Sequence, residues 1–110
     1  MTVKTEYATY ENCYPRISRY VYGDTLAIQI WNDEDGAILN LTTNLTNEVI
    51  DCDCEQFVDT NNFPGTLDFI KEYKLGTETG ILGHSGFCTY PLVRFDLQRL
   101  AQLEAAHGEE

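Results

Sequence analysis

The chain has 110 residues, 43% of them hydrophobic, and its 18 acidic and 7 basic residues leave a net charge of −11 with the histidines neutral. At this length one domain with a thin core is expected. The charge excludes a nucleic-acid binder that works through its own positive field, and no apolar run approaches the roughly 20 residues of a membrane-spanning helix.

In chain order, residues 1–15 hold Tyr7, Tyr10 and Tyr14 without a clear period and close on Pro15; they are expected to form an arm packed across a sheet. Residues 16–22 alternate, Gly23-Asp24 supplies a turn, and residues 25–31 read as a second strand with Leu26, Ile28 and Ile30 on one face. Residues 32–36 (Asn-Asp-Glu-Asp-Gly) are turn formers that tolerate left-handed or Asx geometry. A third strand over 38–45 pairs back, which makes an antiparallel meander. Over 47–60, Ile50, Cys52 and Cys54 share one parity and Asp51, Asp53 and Glu55 the other, so an extended segment would turn thiols inward and carboxylates to solvent.

Residues 61–65 break the pattern, and helical spacing over 66–75 predicts a helix capped by Thr66 or Asn62 and stopped by Gly76. The glycines at 76, 80, 83 and 86 predict a loop with a short strand near Ile81. Residues 87–95 read as a strand that Pro91 would place at a sheet edge. A last amphipathic helix is expected over 96–106, with 107–110 frayed. The fold expected is one α+β domain over 1–110: a meander sheet of about four to five antiparallel strands, with two helices packed on one face.

The placement of charge is more informative than its sum. Residues 20–70 hold no lysine or arginine but ten acids: Asp24, Asp33, Glu34, Asp35, Glu48, Asp51, Asp53, Glu55, Asp59 and Asp68. A small domain needs a net charge of only about 2–8 for solubility, and a larger one costs stability through self-repulsion. Alternate strand residues stand roughly 6–7 Å apart, so Asp51, Asp53 and Glu55 would form a regular negative row, with the 33–35 turn supplying another. Such a surface imitates a nucleic-acid backbone, although solvated surface charge explains the same residues.

Other chemistry has less support. Cys52, Cys54, His84 and Cys88 are the right ligand types for tetrahedral zinc, but a one-residue gap is less natural there than two, and the thiols read as packing residues. Residues 32–36 echo the start of a calcium loop without its glutamate at position twelve. His84 and Cys88 are conceivable as a nucleophile pair, but neither a Gly-x-Ser-x-Gly elbow nor a phosphate-binding loop is present. No enzyme activity and no cofactor are expected. The first residues have no apolar signal-peptide core, so a cytoplasmic setting with reduced thiols is expected.

The run from Tyr22 to Ile30 (Tyr-Gly-Asp-Thr-Leu-Ala-Ile-Gln-Ile), then Asp35-Gly36, Leu41-Thr42-Thr43-Asn44-Leu45, Val58-Asp59-Thr60-Asn61-Asn62 and the stretch from Gly83 to Pro91 carry a resemblance over roughly residues 20–97. Together they resemble a family of small proteins of unknown function carried by phages, plasmids and conjugative elements of Firmicutes. The acidic 48–55 segment departs from that family's common pattern. The resemblance implies a setting, a mobile element in a bacterial host, where small acidic proteins disarm host defences and some anti-CRISPR proteins imitate DNA. With the charge map, it implies a non-catalytic inhibitor of a host nucleic-acid-binding enzyme such as a CRISPR effector or restriction nuclease. Asp33, Glu34, Asp35, Asp51, Asp53, Glu55 and Asp59 would make the contact, with no direct nucleic-acid or membrane binding. The alternative is an accessory module that binds a partner through a sheet edge or its aromatics, without inhibition.

Overall fold

The computed structural model describes residues 1–50 and 52–108. Among these residues are nine strands and two helices, in the order β1 (Val3–Lys4), β2 (Thr9–Tyr10), β3 (Tyr14–Arg19), β4 (Leu26–Asn32), β5 (Gly36–Asn40), β6 (Thr42–Thr43), β7 (Glu55–Val58), α1 (Thr66–Glu72), β8 (Gly76–Ser85), β9 (Cys88–Phe95) and α2 (Leu97–Gly108). The α+β class expected from the sequence is the one observed, but its strands form three antiparallel sheets rather than one: β1-β2, β3-β4-β5 and β6-β7-β9-β8.

The meander is the middle sheet. Leu26, Ile28 and Ile30 of β4 are buried as their alternation predicts, while Arg16 lies over the Trp31 ring at 4.4 Å. The expected third strand divides at Leu41, whose fully buried side chain belongs to the main core. Its N–H donates to the Ile28 carbonyl at 2.9 Å, and its carbonyl accepts from Asp59 N–H at 3.1 Å, so one residue bridges two sheets. Two buried polar side chains reinforce the junction. Thr42 Oγ1 accepts from Ile28 N–H at 3.1 Å, and Gln56 Nε2 donates to the Leu26 carbonyl at 2.8 Å while its Oε1 accepts from Phe57 N–H at 2.9 Å.

Three local expectations change. The N-terminal arm is a small hairpin: Val3 is fully buried and Met1 exchanges backbone hydrogen bonds with Cys13. Most of the described part of the 47–60 segment is loop, and among its described residues only Glu55–Val58 form a strand. Most of the glycine-rich stretch is β8 (Gly76–Ser85), the longest strand among the described residues; Gly76 and Gly83 answer to tight packing, and a Cβ at Gly83 would stand 2.5 Å from the Phe57 ring. Pro91 consequently lies in β9, an inner strand of its sheet. Its missing N–H is tolerated because the last β7–β9 pair is Phe57↔Leu92 and the β8 ladder is irregular between Glu78 and Leu82, just before the Leu82↔Pro91 pair.

Both helices pack into the main core, α1 through Phe69 and Ile70 and α2 through Leu100. Asp96 caps helix α2, with Arg99 N–H donating to Asp96 Oδ1 at 3.0 Å. Helix α1 has Gly65 at its N-cap and no side-chain cap, neither from Thr66 nor from Asn62, and it ends before Gly76. Lys74 takes the left-handed conformation (φ 57°), its N–H donates to Lys71 O at 3.3 Å, and Leu75 N–H donates to Ile70 O at 2.9 Å. This is a Schellman ending with lysine where glycine is usual. Lys74→Gly is expected to stabilise the protein by about 0.5–1 kcal/mol, because it removes the cost of a side chain at positive φ. Thermal unfolding would show it as a midpoint raised by several degrees.

Candidate functional site

The seven carboxylates expected to share one surface are divided by the fold. Asp33, Glu34 and Asp35 are exposed in the β4–β5 turn, where Asn32 Oδ1 accepts from Asp35 N–H at 2.7 Å in the expected Asx geometry. Asp53 is exposed in the turn before β7, whose carbonyl accepts from Arg19 Nη1 at 3.1 Å. Arg19 pairs with Leu26 at the start of β4, so Asp53 and the 33–35 turn sit near opposite ends of a strand that spans about 20 Å.

Two of the seven do not face solvent as the alternation suggested. The Glu55 side chain is only 12% exposed and pairs with Arg94 at 3.7 Å across the sheet. Asp59 is buried: Oδ1 accepts from Asn62 N–H at 3.3 Å and Oδ2 from Asn62 Nδ2 at 2.8 Å, so its carboxylate closes the turn ahead of α1. Asp51 lies outside the described residues. Asp53 and Glu55 do not continue one strand row, because Asp53 lies in a turn and the strand begins at Glu55.

The 33–35 turn gains its setting from residues distant in sequence. His107, expected to fray, ends α2 against the turn: its Nε2 lies 3.0 and 3.1 Å from the two Asp33 carboxylate oxygens. Its ring stacks on Tyr14 with centroids 3.5 Å apart, and the Tyr14 hydroxyl donates to Asp33 Oδ1 at 3.3 Å. Burial, and next the charge of Asp33, push the Tyr14 phenol up. Beside this contact lies a recess of about 430 Å³ lined by Glu11, Asn12, Asn32 and the three carboxylates of the turn. It is concave and acidic, suited to a cationic side chain. A larger recess, about 650 Å³, has the opposite character: Lys71, Lys74 and Arg94 line it together with Leu67, Ile70 and Phe95.

Surface loops expose apolar side chains, of which Val21, Tyr22 and Phe87 were expected in strands. Val21 and Phe87 are fully exposed, and Tyr22 (69%) and Val49 (84%) nearly so. Their loops are tied together: Asn44 Nδ2 donates to Tyr22 O at 2.9 Å, Asn47 Nδ2 to His84 O at 3.1 Å, and His84 N–H to Glu48 Oε1 at 3.3 Å. The signal available in sequence was position. Val21-Tyr22 directly precedes Gly23-Asp24, and Phe87 follows Gly86, whose φ of 61° and the Ser85↔Cys88 pair mark a two-residue hairpin turn that points Phe87 outward.

Cys52 and Cys54 are half-buried side by side, with Sγ atoms 2.7 Å apart. His84 is exposed near the end of β8, and Cys88 is half-buried where β9 begins. Among the described residues no group of three or more His, Cys, Asp or Glu side chains stands together as a metal site, so the four candidate zinc ligands are not gathered. No described helix is long and apolar enough to cross a membrane.

No curated protein and no solved structure matches the chain significantly. A family model does match, over residues 15–110, which takes in every strand and helix described here except β1, β2 and the first residue of β3. The chain therefore belongs to the family defined by the domain of unknown function DUF4313.

Proposed function

We propose that this protein acts by binding, as an acidic, non-catalytic inhibitor from a mobile genetic element that occupies a basic nucleic-acid groove on a host defence enzyme of CRISPR-effector or restriction-nuclease type. The observation that carries this reading is the exposed Asp33-Glu34-Asp35 turn beside its acidic recess, in a segment of 51 residues without one lysine or arginine. A guanidinium or ammonium group entering the recess would meet carboxylates from the turn and from Glu11. Asp24 and Asp53 toward the other end of β4 supply a second negative group, at a separation that suits an elongated groove rather than a single pocket. Complexes between opposite charges weaken as salt is added.

A second reading is favoured by the tied loops that expose Val21, Tyr22, Val49 and Phe87. Aromatic side chains are enriched at the centres of protein interfaces and supply most binding energy there. On this reading the chain is an accessory module, and the acidic turn is solvated surface.

One experiment separates the two. Tagged protein is used to capture partners from a bacterial host lysate, with and without excess duplex DNA. Three forms are compared: the unaltered chain, the triple variant Asp33→Asn, Glu34→Gln, Asp35→Asn, and the double variant Tyr22→Ser, Phe87→Ser. Capture of a nucleic-acid enzyme that DNA displaces and the triple variant loses supports the inhibitor reading. Capture indifferent to DNA and lost only in the double variant supports the accessory module and overturns the first.

A further inference from the structure

The turn that opens β7 holds two thiols in an arrangement that neither partner-binding reading uses. In a strand, a one-residue gap sets side chains roughly 6–7 Å apart. Here residues 52–55 form a turn closed by Glu55 N–H donating to the Cys52 carbonyl at 3.2 Å, and the turn folds the Cys52 and Cys54 Sγ atoms to 2.7 Å. An S–S bond is about 2.05 Å long, so less than an ångström of movement closes the gap.

The backbone around the pair is anchored. Phe95 N–H donates to the Cys54 carbonyl at 2.7 Å, and Arg19 Nη1 donates to the Asp53 carbonyl at 3.1 Å. Both thiols remain half-exposed, unlike Cys13, which is buried. The hydrogen bond with Cys52 is the first cause that raises the Cys54 thiol, burial the second, and the nearby Arg94 guanidinium opposes them. The raised Cys54 thiol suits the second, resolving step of an exchange rather than the first attack.

We infer that Cys52 and Cys54 are a redox-active dithiol that reduces a low-molecular-weight disulfide and becomes an intrachain disulfide. In the first step the Cys52 thiolate attacks one sulfur of R–S–S–R; that S–S bond breaks, and the departing RS⁻ takes up a proton. Cys54 then gives up its proton and attacks Cys52 Sγ in the mixed disulfide, which releases the second thiol. One disulfide is reduced to two R–SH by two electrons, and the two cysteines are oxidised by the same two. A ring closed over a single intervening residue is strained, and strained disulfides have the more oxidising potentials, so the closed form exchanges readily and an excess of R–S–S–R is what draws the pair to it.

Oxidised glutathione is the probe. The reduced full-length protein is incubated with it, quenched by alkylation, and followed by intact mass, peptide mapping and thiol titration. The unaltered chain is expected to lose two hydrogens and two of its four thiols, with the new bond mapped to Cys52–Cys54 and no lasting adduct. Cys54→Ser should trap the glutathione adduct on Cys52, and the double variant Cys13→Ser, Cys88→Ser should behave as the unaltered chain. Circular dichroism of each variant checks that it is folded. Lasting adducts on the unaltered chain, a bond that maps to Cys13 or Cys88, or four thiols still free after incubation would each overturn the inference.

Discussion

Replacing Gln56 with leucine is expected to cost about 2–4 kcal/mol, although it puts an apolar side chain of similar size at a fully buried position. Gln56 has no exposed surface, and its amide serves the Leu26 carbonyl of one sheet and the Phe57 N–H of the next. Leucine removes both partners where water does not reach, and each buried polar group left unsatisfied costs about 1–3 kcal/mol. Gln56→Glu tests the same contact differently. An ionised carboxylate still accepts from Phe57 N–H but faces the Leu26 carbonyl without a proton to donate, so this variant should recover stability as pH falls and the acid is protonated. Urea unfolding at neutral and at mildly acidic pH measures both effects. A Gln56→Leu protein as stable as the unaltered chain would mean that the sheets hold together without this bond.

Gly76→Ala should be damaging for a different reason. A Cβ there would stand 2.7 Å from the Arg94 carbonyl oxygen, 2.9 Å from Val93 Cγ1 and 3.1 Å from Phe95 Cα. Two of these three neighbours are backbone atoms of β9, which is held on its other side by β7 and has no room to retreat. Overpacking of this kind costs about 1–3 kcal/mol and at times more. Gly80 in the same strand supplies the comparison. Its φ of +84° strains any side chain, yet nothing lies within 4 Å of its Cβ position, so Gly80→Ala should lose only about 1 kcal/mol, from backbone conformation alone. Unfolding midpoints measured side by side should rank Gly76→Ala well below Gly80→Ala; the reverse order would show that the close approach to β9 is not limiting.

These two positions illustrate where reading the sequence stops. A glycine-rich run looks like a loop because each glycine is judged by its own flexibility. In β8, Gly76 and Gly83 are required by Arg94, Val93 and Phe57, residues that only strand pairing brings near. The third strand of the meander likewise reads as one piece, since nothing local marks Leu41 as the point where the chain changes sheets. Lys74 ends α1 two residues before the glycine that looked like the stop, because Ile70 and Leu75 are both drawn into the core and the turn between them must close at Lys74 whatever its side chain.

The candidate surface was legible to the same depth. Asp33, Glu34 and Asp35 are exposed where turn chemistry put them, and Asn32 holds the turn as an Asx residue should. The recess beside them depends on the β1–β2 hairpin and on the end of α2, neither of which the local pattern placed there.

By itself the sequence determined the net charge, the absence of bases from residues 20–70, the α+β class, the buried face of β4 and the amphipathic helix at the C-terminal end. Each follows from composition or from a period of two or about 3.6 residues, which backbone geometry imposes locally. Only the tertiary structure decided which carboxylates face solvent. Glu55 is covered because Arg94 lies opposite it, Asp59 is buried because Asn62 turns back onto it, and Asp33 meets His107 because α2 ends beside the turn between β4 and β5. Exposure is set by neighbours contributed from elsewhere in the chain, and a local alternation carries no information about them.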